Sequence, residues 1–252
     1  MLRQIFPAVA LIAAAPAWAQ DEATEAPLGV APGGIDVRAE FELMTDYRFR
    51  GISRSDEDPA AQATVNLTHG SGIYAGARGT TLKGTDSFRQ RDPGFGDLGD
   101  AQFDLYVGYG GRLGGGFEVD AGALYYVFAG GEGPTDYVEP YASLSYLIGP
   151  LYATAGAKYA PSQEAIGDEE MLYLFGQLDV TIPFRPWSFT ASAGRQDWGR
   201  FGDYWTWTLG VEHHLRIGGL SGARVGLRYV DTGLAGTPGQ DAALALYGRL
   251  SF

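Results

Sequence analysis

Residues 37–51 of the 252-residue chain read VRAEFELMTDYRFRG and alternate two kinds of side chain over their whole length. One row holds mostly apolar side chains such as Phe41 and Leu43, and the other holds mostly charged ones such as Glu42 and Arg48. Successive side chains of a β-strand point to opposite faces of the sheet, so this period of two predicts a strand with one apolar and one charged face. A strand that separates lipid from a wet interior has this pattern.

The same alternation recurs along the rest of the chain. The further segments are residues 60–69, 72–80, 101–109, 117–128, 137–148, 151–159, 171–182, 187–195, 204–214, 223–230 and 242–252. The connections between the segments alternate strictly between long and short. Short turns at one end and longer loops at the other are typical of outer-membrane barrels. The sequence therefore predicts an all-β fold: a transmembrane, antiparallel, up-and-down β-barrel of about 12 strands.

Aromatic side chains of the apolar rows fall near the predicted strand ends, whereas the strand middles hold Ala, Val, Leu and Gly. Near the long-loop ends lie Tyr47, Phe49, Tyr125, Tyr159, Trp205, Trp207 and Tyr229. Near the short-turn ends lie Tyr109, Phe117, Tyr146, Trp187 and Phe252. Amphipathic rings collect at the two membrane–water interfaces, so we expect two aromatic girdles around an aliphatic band.

The two ends of the chain indicate export. Residues 1–19 read as a secretory signal peptide with a small-x-small cleavage pattern that ends at Ala19, residues 20–34 as a flexible lead-in, and residues 35–252 as the barrel. The last residues, ALYGRLSF, resemble the closing strand of outer-membrane proteins. That resemblance implies recognition of Phe252 by the barrel-assembly machinery and a Gram-negative outer membrane, where the partners are lipid and lipopolysaccharide.

Composition narrows the alternatives. No segment of the mature chain approaches the roughly 18 apolar residues of a helical span. The net charge of −12 argues against nucleic-acid binding, which calls for a basic surface. The chain has no cysteine, so its fold does not depend on disulfides.

The stretch at residues 45–80 resembles the N-terminal motif of the TorF-like family of proteobacterial porins. The matching residues are Tyr47, Phe49, Arg50, Gly51, Ser53, Ser55, Pro59, Ala60, Gln62, His69, Ser71, Gly72, Tyr74 and Gly76. Arg54 departs from the usual glutamine of that motif. The resemblance implies an outer-membrane barrel with porin-like passive transport of small polar or charged solutes, and it does not define the solute.

The charged rows are expected to face the barrel interior. The predicted pore-lining basic residues are Arg38, Arg48, Arg50, Arg224, Arg228 and Arg249. The predicted pore-lining acidic residues are Asp104, Glu118, Asp120 and Glu139. The two groups lie on nearly opposite walls, so one hypothesis is a transverse field that selects solutes. The alternatives are that Glu40, Glu42 and Asp46 neutralise the arginines, or that salt bridges fill a closed, purely structural barrel.

The sequence gives little support for catalysis or cofactors. A lipid-modifying enzyme would need a nucleophile and a base on the lipid-facing rim. His213 falls on the lipid-facing row without a matching serine, whereas Ser188, Ser192 and His214 point inward. We therefore expect no enzyme activity, no cofactor and no metal site, and we expect the acidic loop clusters to be solvated. The connection at residues 81–100 is long enough to fold into the pore.

Overall fold

A computed structural model describes residues 33–83, 97–217, 220–234 and 238–252. Its main element is one closed barrel of twelve antiparallel strands, each paired with its neighbours in chain order, with β1 paired to β14. The strands are β1 (Ile35–Met44), β4 (Ala60–His69), β5 (Ile73–Thr81), β6 (Gly99–Gly114), β7 (Phe117–Gly130), β8 (Tyr137–Ile148), β9 (Leu151–Gln163), β10 (Glu169–Thr181), β11 (Trp187–Asp197), β12 (Asp203–Ile217), β13 (Leu220–Thr232) and β14 (Ala243–Ser251). A short hairpin of β2 (Arg48–Phe49) and β3 (Ile52–Ser53) lies apart from the barrel sheet. The predicted barrel is confirmed.

The connections at the two ends of the barrel differ, as the sequence predicts. Turns at one end are short, and include residues 70–72, 115–116 and 149–150. Connections at the other end include residues 45–59 and 233–242 and are mostly longer. We call these the short-turn end and the long-loop end. Among the described residues, no helix is long and apolar enough to cross a membrane.

Apolar side chains lie on the outside of the barrel and polar side chains on the inside, the reverse of a water-soluble protein. Large apolar side chains of the outward rows are exposed, with Leu43 at 56%, Leu105 at 46% and Leu209 at 57%. Polar and charged side chains of the inward rows are buried, and Gln102 and Asp104 are fully so. In a water-soluble sheet stack the apolar rows would be buried and the charged rows exposed. The exposed apolar wall is therefore the surface that a bilayer would cover.

The predicted aromatic girdles are largely present. Near the long-loop end, Tyr125, Tyr159, Trp205 and Trp207 are exposed. Near the short-turn end, the exposed aromatic side chains are Tyr109, Phe117, Trp187 and Phe252. Tyr229 and Tyr146 are partly exposed.

The prediction for Tyr47 and Phe49 is wrong, because both side chains are buried. The first strand ends at Met44 and not at Gly51, and the chain then turns into the lumen. The alternating pattern continues past Met44 because β2 is also extended, but this short strand belongs to a separate hairpin inside the barrel.

Several predictions fall outside the described residues. They are the signal peptide, most of the lead-in, and the segment 84–96 of the connection that the sequence allows to fold inward. Phe252 is described, and its backbone joins the barrel seam: Phe252 N–H donates to Ala39 O at 2.8 Å, and Ala39 N–H donates to Phe252 O at 3.3 Å.

Candidate functional site in the barrel lumen

Residues 45–59 leave the barrel wall at the long-loop end and fold into the lumen. We call this segment the plug loop. Its tip is the β2–β3 hairpin, in which Arg48 pairs with Ser53 and Phe49 with Ile52. The two turn residues, Arg50 and Gly51, have φ angles of 48° and 85°. A two-residue hairpin turn of type I′ requires positive φ at both positions, and a non-glycine residue there is strained.

Arg50 joins the plug loop to the far side of the barrel. Its Nη2 donates to both carboxylate oxygens of Glu139 on β8 at 2.6 Å, and its Nη1 donates to Gln196 Oε1 on β11 at 2.6 Å. The guanidinium also lies 4.5 Å from the centre of the Tyr173 ring on β10. These strands lie well round the barrel from β1, so the contacts place the hairpin across the lumen.

The electrostatics of this contact keep Arg50 charged. Its side chain and that of Glu139 are almost completely buried. Burial alone would lower the pKa of the guanidinium, but the Glu139 carboxylate raises that pKa above its ordinary value. A bidentate, charge-assisted pair is among the strongest polar contacts in proteins, and removing one member leaves the other as an unpaired buried charge.

Arg54 forms a second anchor on another wall. Its Nη1 donates to Gln102 Oε1 on β6 at 2.7 Å, and its guanidinium lies 3.7 Å from the centre of the Phe49 ring. Phe49 in turn packs edge-on against Tyr126 of β7 at 5.7 Å between ring centres. The sequence motif marks Arg54 only as a departure from the porin pattern, so its role as an anchor was not predicted.

The connection between β13 and β14 packs onto the plug loop. Arg48 Nη1 donates to Asp241 O at 2.6 Å, and Ser53 N–H donates to Gly239 O at 2.8 Å. The Arg48 side chain is also paired with Asp46 at 2.5 Å. Gly51 packs against Thr206 and Thr232 of β12 and β13. The plug loop is therefore held from several sides of the barrel.

These contacts form a packed layer at the long-loop end of the lumen. Tyr126, Tyr173, Gln102 and Glu139 are all fully buried there. The cavity beside Arg50 has a volume of only about 40 Å³. The plug loop and its contacts therefore fill much of this end of the lumen.

Below the plug loop, arginines of β13 and β14 are paired with carboxylates. Arg228 lies 2.8 Å and Arg249 2.7 Å from the carboxylate of Glu42 on β1. Arg249 also lies 3.5 Å from Glu212 on β12, and Arg224 lies 3.8 Å from the same side chain. The sequence leaves open, as an alternative to a transverse field, that Glu42 neutralises the arginines, and these contacts are of that kind.

The remaining predicted charges also have close partners. Asp104 pairs with Arg78 at 2.6 Å, and Glu118 pairs with Arg112 at 3.1 Å. Asp120 accepts a hydrogen bond from Tyr74 at 2.5 Å. Arg38 is half-buried and pairs with Asp36 at 2.7 Å. Both walls therefore carry charges of both signs in direct contact.

The structure thus corrects the placement of two predicted residues. Arg48 and Arg50 lie inside the barrel, but on the plug loop and not on the first barrel strand. Arg50 and Glu139, predicted on opposite walls, form a direct ion pair across the lumen. The selectivity assigned to these charges stays a prediction.

The contacts of the two adjacent histidines differ from those of a catalytic triad. His214 Nε2 lies 2.9 Å from Ser188 Oγ and 3.5 Å from Glu212 Oε1, so both contacts use one nitrogen. A triad needs the acid on the opposite nitrogen of the ring. His213 packs edge-on against Trp187. Within the described ranges, no group of three or more His, Cys, Asp or Glu side chains could hold a metal ion.

Comparisons with known proteins place this barrel beside porins. Residues 29–241 match a family model described as a bacterial protein of unknown function, Gcw_chp. No protein of curated function matches the sequence. The solved structure described as KdgM porin is similar with a TM-score of 0.57 at 7% identity, over 85% of this chain and 99% of that one. The structure described as NanC porin is similar with a TM-score of 0.53 at 12% identity, over 87% and 99%.

Proposed function

The chain belongs to the Gcw_chp family, and we propose that it is a gated outer-membrane channel for passive diffusion of small polar or charged solutes. The observation that carries the proposal is a polar lumen within an apolar barrel wall, with much of one end filled by a loop. The plug loop contacts β6, β8 and β11 through side chains of Arg54 and Arg50, and its β2–β3 hairpin forms a sheet separate from the barrel sheet. Such a loop can move without breaking the barrel.

The orientation follows from the two ends of the barrel. Short turns face the periplasm in outer-membrane barrels and longer loops face outward. The plug loop would then close the outer mouth, where lipopolysaccharide surrounds the barrel. The described lumen residues nearer the short-turn end, such as Asn66 and His214, keep partial exposure. In this proposal, solute entry from outside requires displacement of the plug loop, and the lumen charges then set the selectivity.

A closed structural barrel is the second candidate. The observation that favours it is the packed layer around Arg50, in which Tyr126, Tyr173 and Glu139 are fully buried. A channel and a structural barrel differ in one testable respect. Loosening the plug loop opens a channel, whereas a filled barrel without the loop stays impermeable.

Planar-bilayer conductance of refolded protein tests the proposal. We expect low conductance from the wild type, and several-fold higher conductance from Glu139→Gln and from a variant in which a short Gly-Ser linker replaces residues 46–58. The reason is that each change removes the ion pair between Arg50 and Glu139. Arg195→Ala, which breaks a pair with Asp203 in which both side chains are about half exposed, is the control that should leave conductance unchanged. A folded linker variant that still does not conduct would establish the structural barrel.

A further inference from the structure

The lumen below the plug loop has one wall of uncharged polar side chains. Register partners across β8 to β12 place these side chains in one continuous row, which runs obliquely along the wall because barrel strands are tilted. They are Ser145, Thr154, Gln177, Ser192 and Thr208, which we call the polar belt. All five are inward-facing and none is ionisable. Ser145 and Thr154 are joined to each other by a hydrogen bond of 2.9 Å.

The opposite side of the lumen is filled. Arg249, Glu42 and Arg228 project from β14, β1 and β13, and they are bound to one another in the ion-pair cluster. Both Arg249 and Glu42 are almost completely buried. On the belt side, Thr208 and Gly210 keep partial exposure. Space for a solute therefore lies at the Thr208 end of the polar belt.

Two polar atoms of the belt have no hydrogen-bond partner. They are Gln177 Oε1 and Ser192 Oγ, and both residues are more than nine-tenths buried. These residues are register partners on β10 and β11, so their side chains are neighbours on the wall. An unsatisfied buried polar group costs about 1–3 kcal/mol, so a ligand that bonds to both atoms gains affinity. A hydroxyl group suits both, because it donates to the amide oxygen and either donates to or accepts from the serine.

The carboxylate of Asp179, next to the belt, already accepts hydrogen bonds from two neighbouring side chains. Asp179 accepts from Gln177 Nε2 at 2.6 Å through one oxygen and from the Thr190 hydroxyl through the other. Phe175 and Tyr173 lie on the plug side of the belt, with ring centres 5.9 Å apart and planes 19° apart. Hydrogen-bonding groups beside an apolar surface suit a ligand that carries both hydroxyl groups and C–H faces.

We propose that the polar belt is the solute-binding subsite of the channel and that it takes small uncharged polyhydroxylated molecules. This inference rests on the proposed channel function. It assigns the binding role to Gln177 and Ser192, and not to the ion-paired arginines. The charges of Arg228 and Arg249 are compensated by Glu42 and Glu212, whereas the two belt atoms are uncharged and have no hydrogen-bond partner.

Liposome swelling with three matched solutes tests the subsite. Sorbitol, gluconate and N-methylglucamine share a six-carbon polyol chain and are neutral, anionic and cationic. In the linker variant that lacks the plug, we expect sorbitol to enter several-fold faster than either ion. Adding Gln177→Leu and Ser192→Ala should remove this preference. Thr64→Val, which removes an inward hydroxyl from β4 outside the belt, is the control.

A cysteine variant checks the same point without removing the belt. The chain has no native cysteine, so a single thiol can be placed and modified alone. A bulky thiol reagent on Ser192→Cys should slow sorbitol entry, and the same reagent on the lipid-facing Ala193→Cys should not.

The outcomes separate the two proposals. Equal entry of sorbitol and gluconate, unaffected by the belt substitutions, would overturn the subsite and leave the channel intact. Faster entry of N-methylglucamine would overturn it in favour of a cation site at Asp179. No swelling and no conductance from any folded variant would overturn the channel and the subsite together.

Discussion

At the scale of single residues, Gly51 sets how the plug loop fits the lumen. Its φ is 85°, and an added Cβ would overlap the Thr232 side chain and lie 2.7 Å from Thr206 Oγ1. Gly51→Ala should therefore push the hairpin tip away from β12 and β13. We expect higher channel conductance and a loss of about 1–3 kcal/mol in the free energy of unfolding, through overpacking and positive φ together.

Gly149→Ala provides the matched control for this prediction. Gly149 also has a positive φ, of 59°, but an added Cβ there meets nothing within 4 Å. It should show only the backbone penalty in urea unfolding, with wild-type conductance. Equal conductance of the two variants would show that the fit of Gly51 does not keep the lumen closed.

At this scale the sequence indicates the direction in which a side chain points, whereas its lining of a pore stays a prediction. Arg224, Arg228, Arg249 and Asp104 all lie on inward rows, because period two alone decides which face they occupy. The sequence does not predict which residues these side chains contact. The pair between Arg50 and Glu139 joins residues 89 positions apart in the chain, and no local pattern encodes that contact.

At the scale of elements, the seam between β1 and β14 is short. Paired residues extend from Glu40–Ser251 to Met44–Tyr247, because the plug loop turns inward after β1. The two Phe252 backbone bonds to Ala39 extend this seam at one end, and the bond from Thr45 N–H to Leu246 O extends it at the other. The sequence predicts that the assembly machinery recognises Phe252, and these bonds add a role in closure.

Two variants of the last residue separate these roles. Phe252→Ala keeps both backbone bonds to Ala39, whereas deletion of Phe252 loses them. We expect normal refolding in detergent for Phe252→Ala and a lower folded yield for the deletion, measured by the heat-dependent shift of the folded band on gels. In cells, both should lose assembly if the machinery reads the aromatic ring. Equal refolding of the two would remove the seam role.

The end of β1 shows why element boundaries were partly missed. Alternation in the sequence continues from residue 37 to residue 51, but the wall strand ends at Met44. β2 is extended as well, so period two does not distinguish a strand in the wall from a strand inside the lumen. What distinguishes them is tertiary contact: Arg48 is paired with Asp46 and donates to the main-chain oxygen of Asp241 inside the barrel mouth.

At the scale of the whole molecule, two environments explain both the sequence pattern and the closed barrel. Lipid offers the backbone no hydrogen-bond partner, so every wall strand must pair on both sides, and a closed sheet achieves this. Outward rows can then be apolar throughout, as Leu105 and Leu209 are. Inward rows meet water and one another, which is why their charges occur as pairs.

Neighbouring residues of β12 test this division at one depth. Leu209 faces outward with 57% exposure, and Thr208 faces inward. An arginine placed at position 209 would therefore face lipid, whereas an arginine placed at position 208 would face the lumen. Leu209→Arg should lower the free energy of unfolding by about 2–4 kcal/mol in vesicles, as for a cation near the bilayer midplane. Thr208→Arg should cost much less, because its side chain can reach lumen water, and should instead lower sorbitol entry in the linker variant. Urea unfolding in lipid vesicles measures the first effect and swelling the second. Equal destabilisation at both positions would mean that the two rows do not meet different media, and the barrel could not then be a membrane channel.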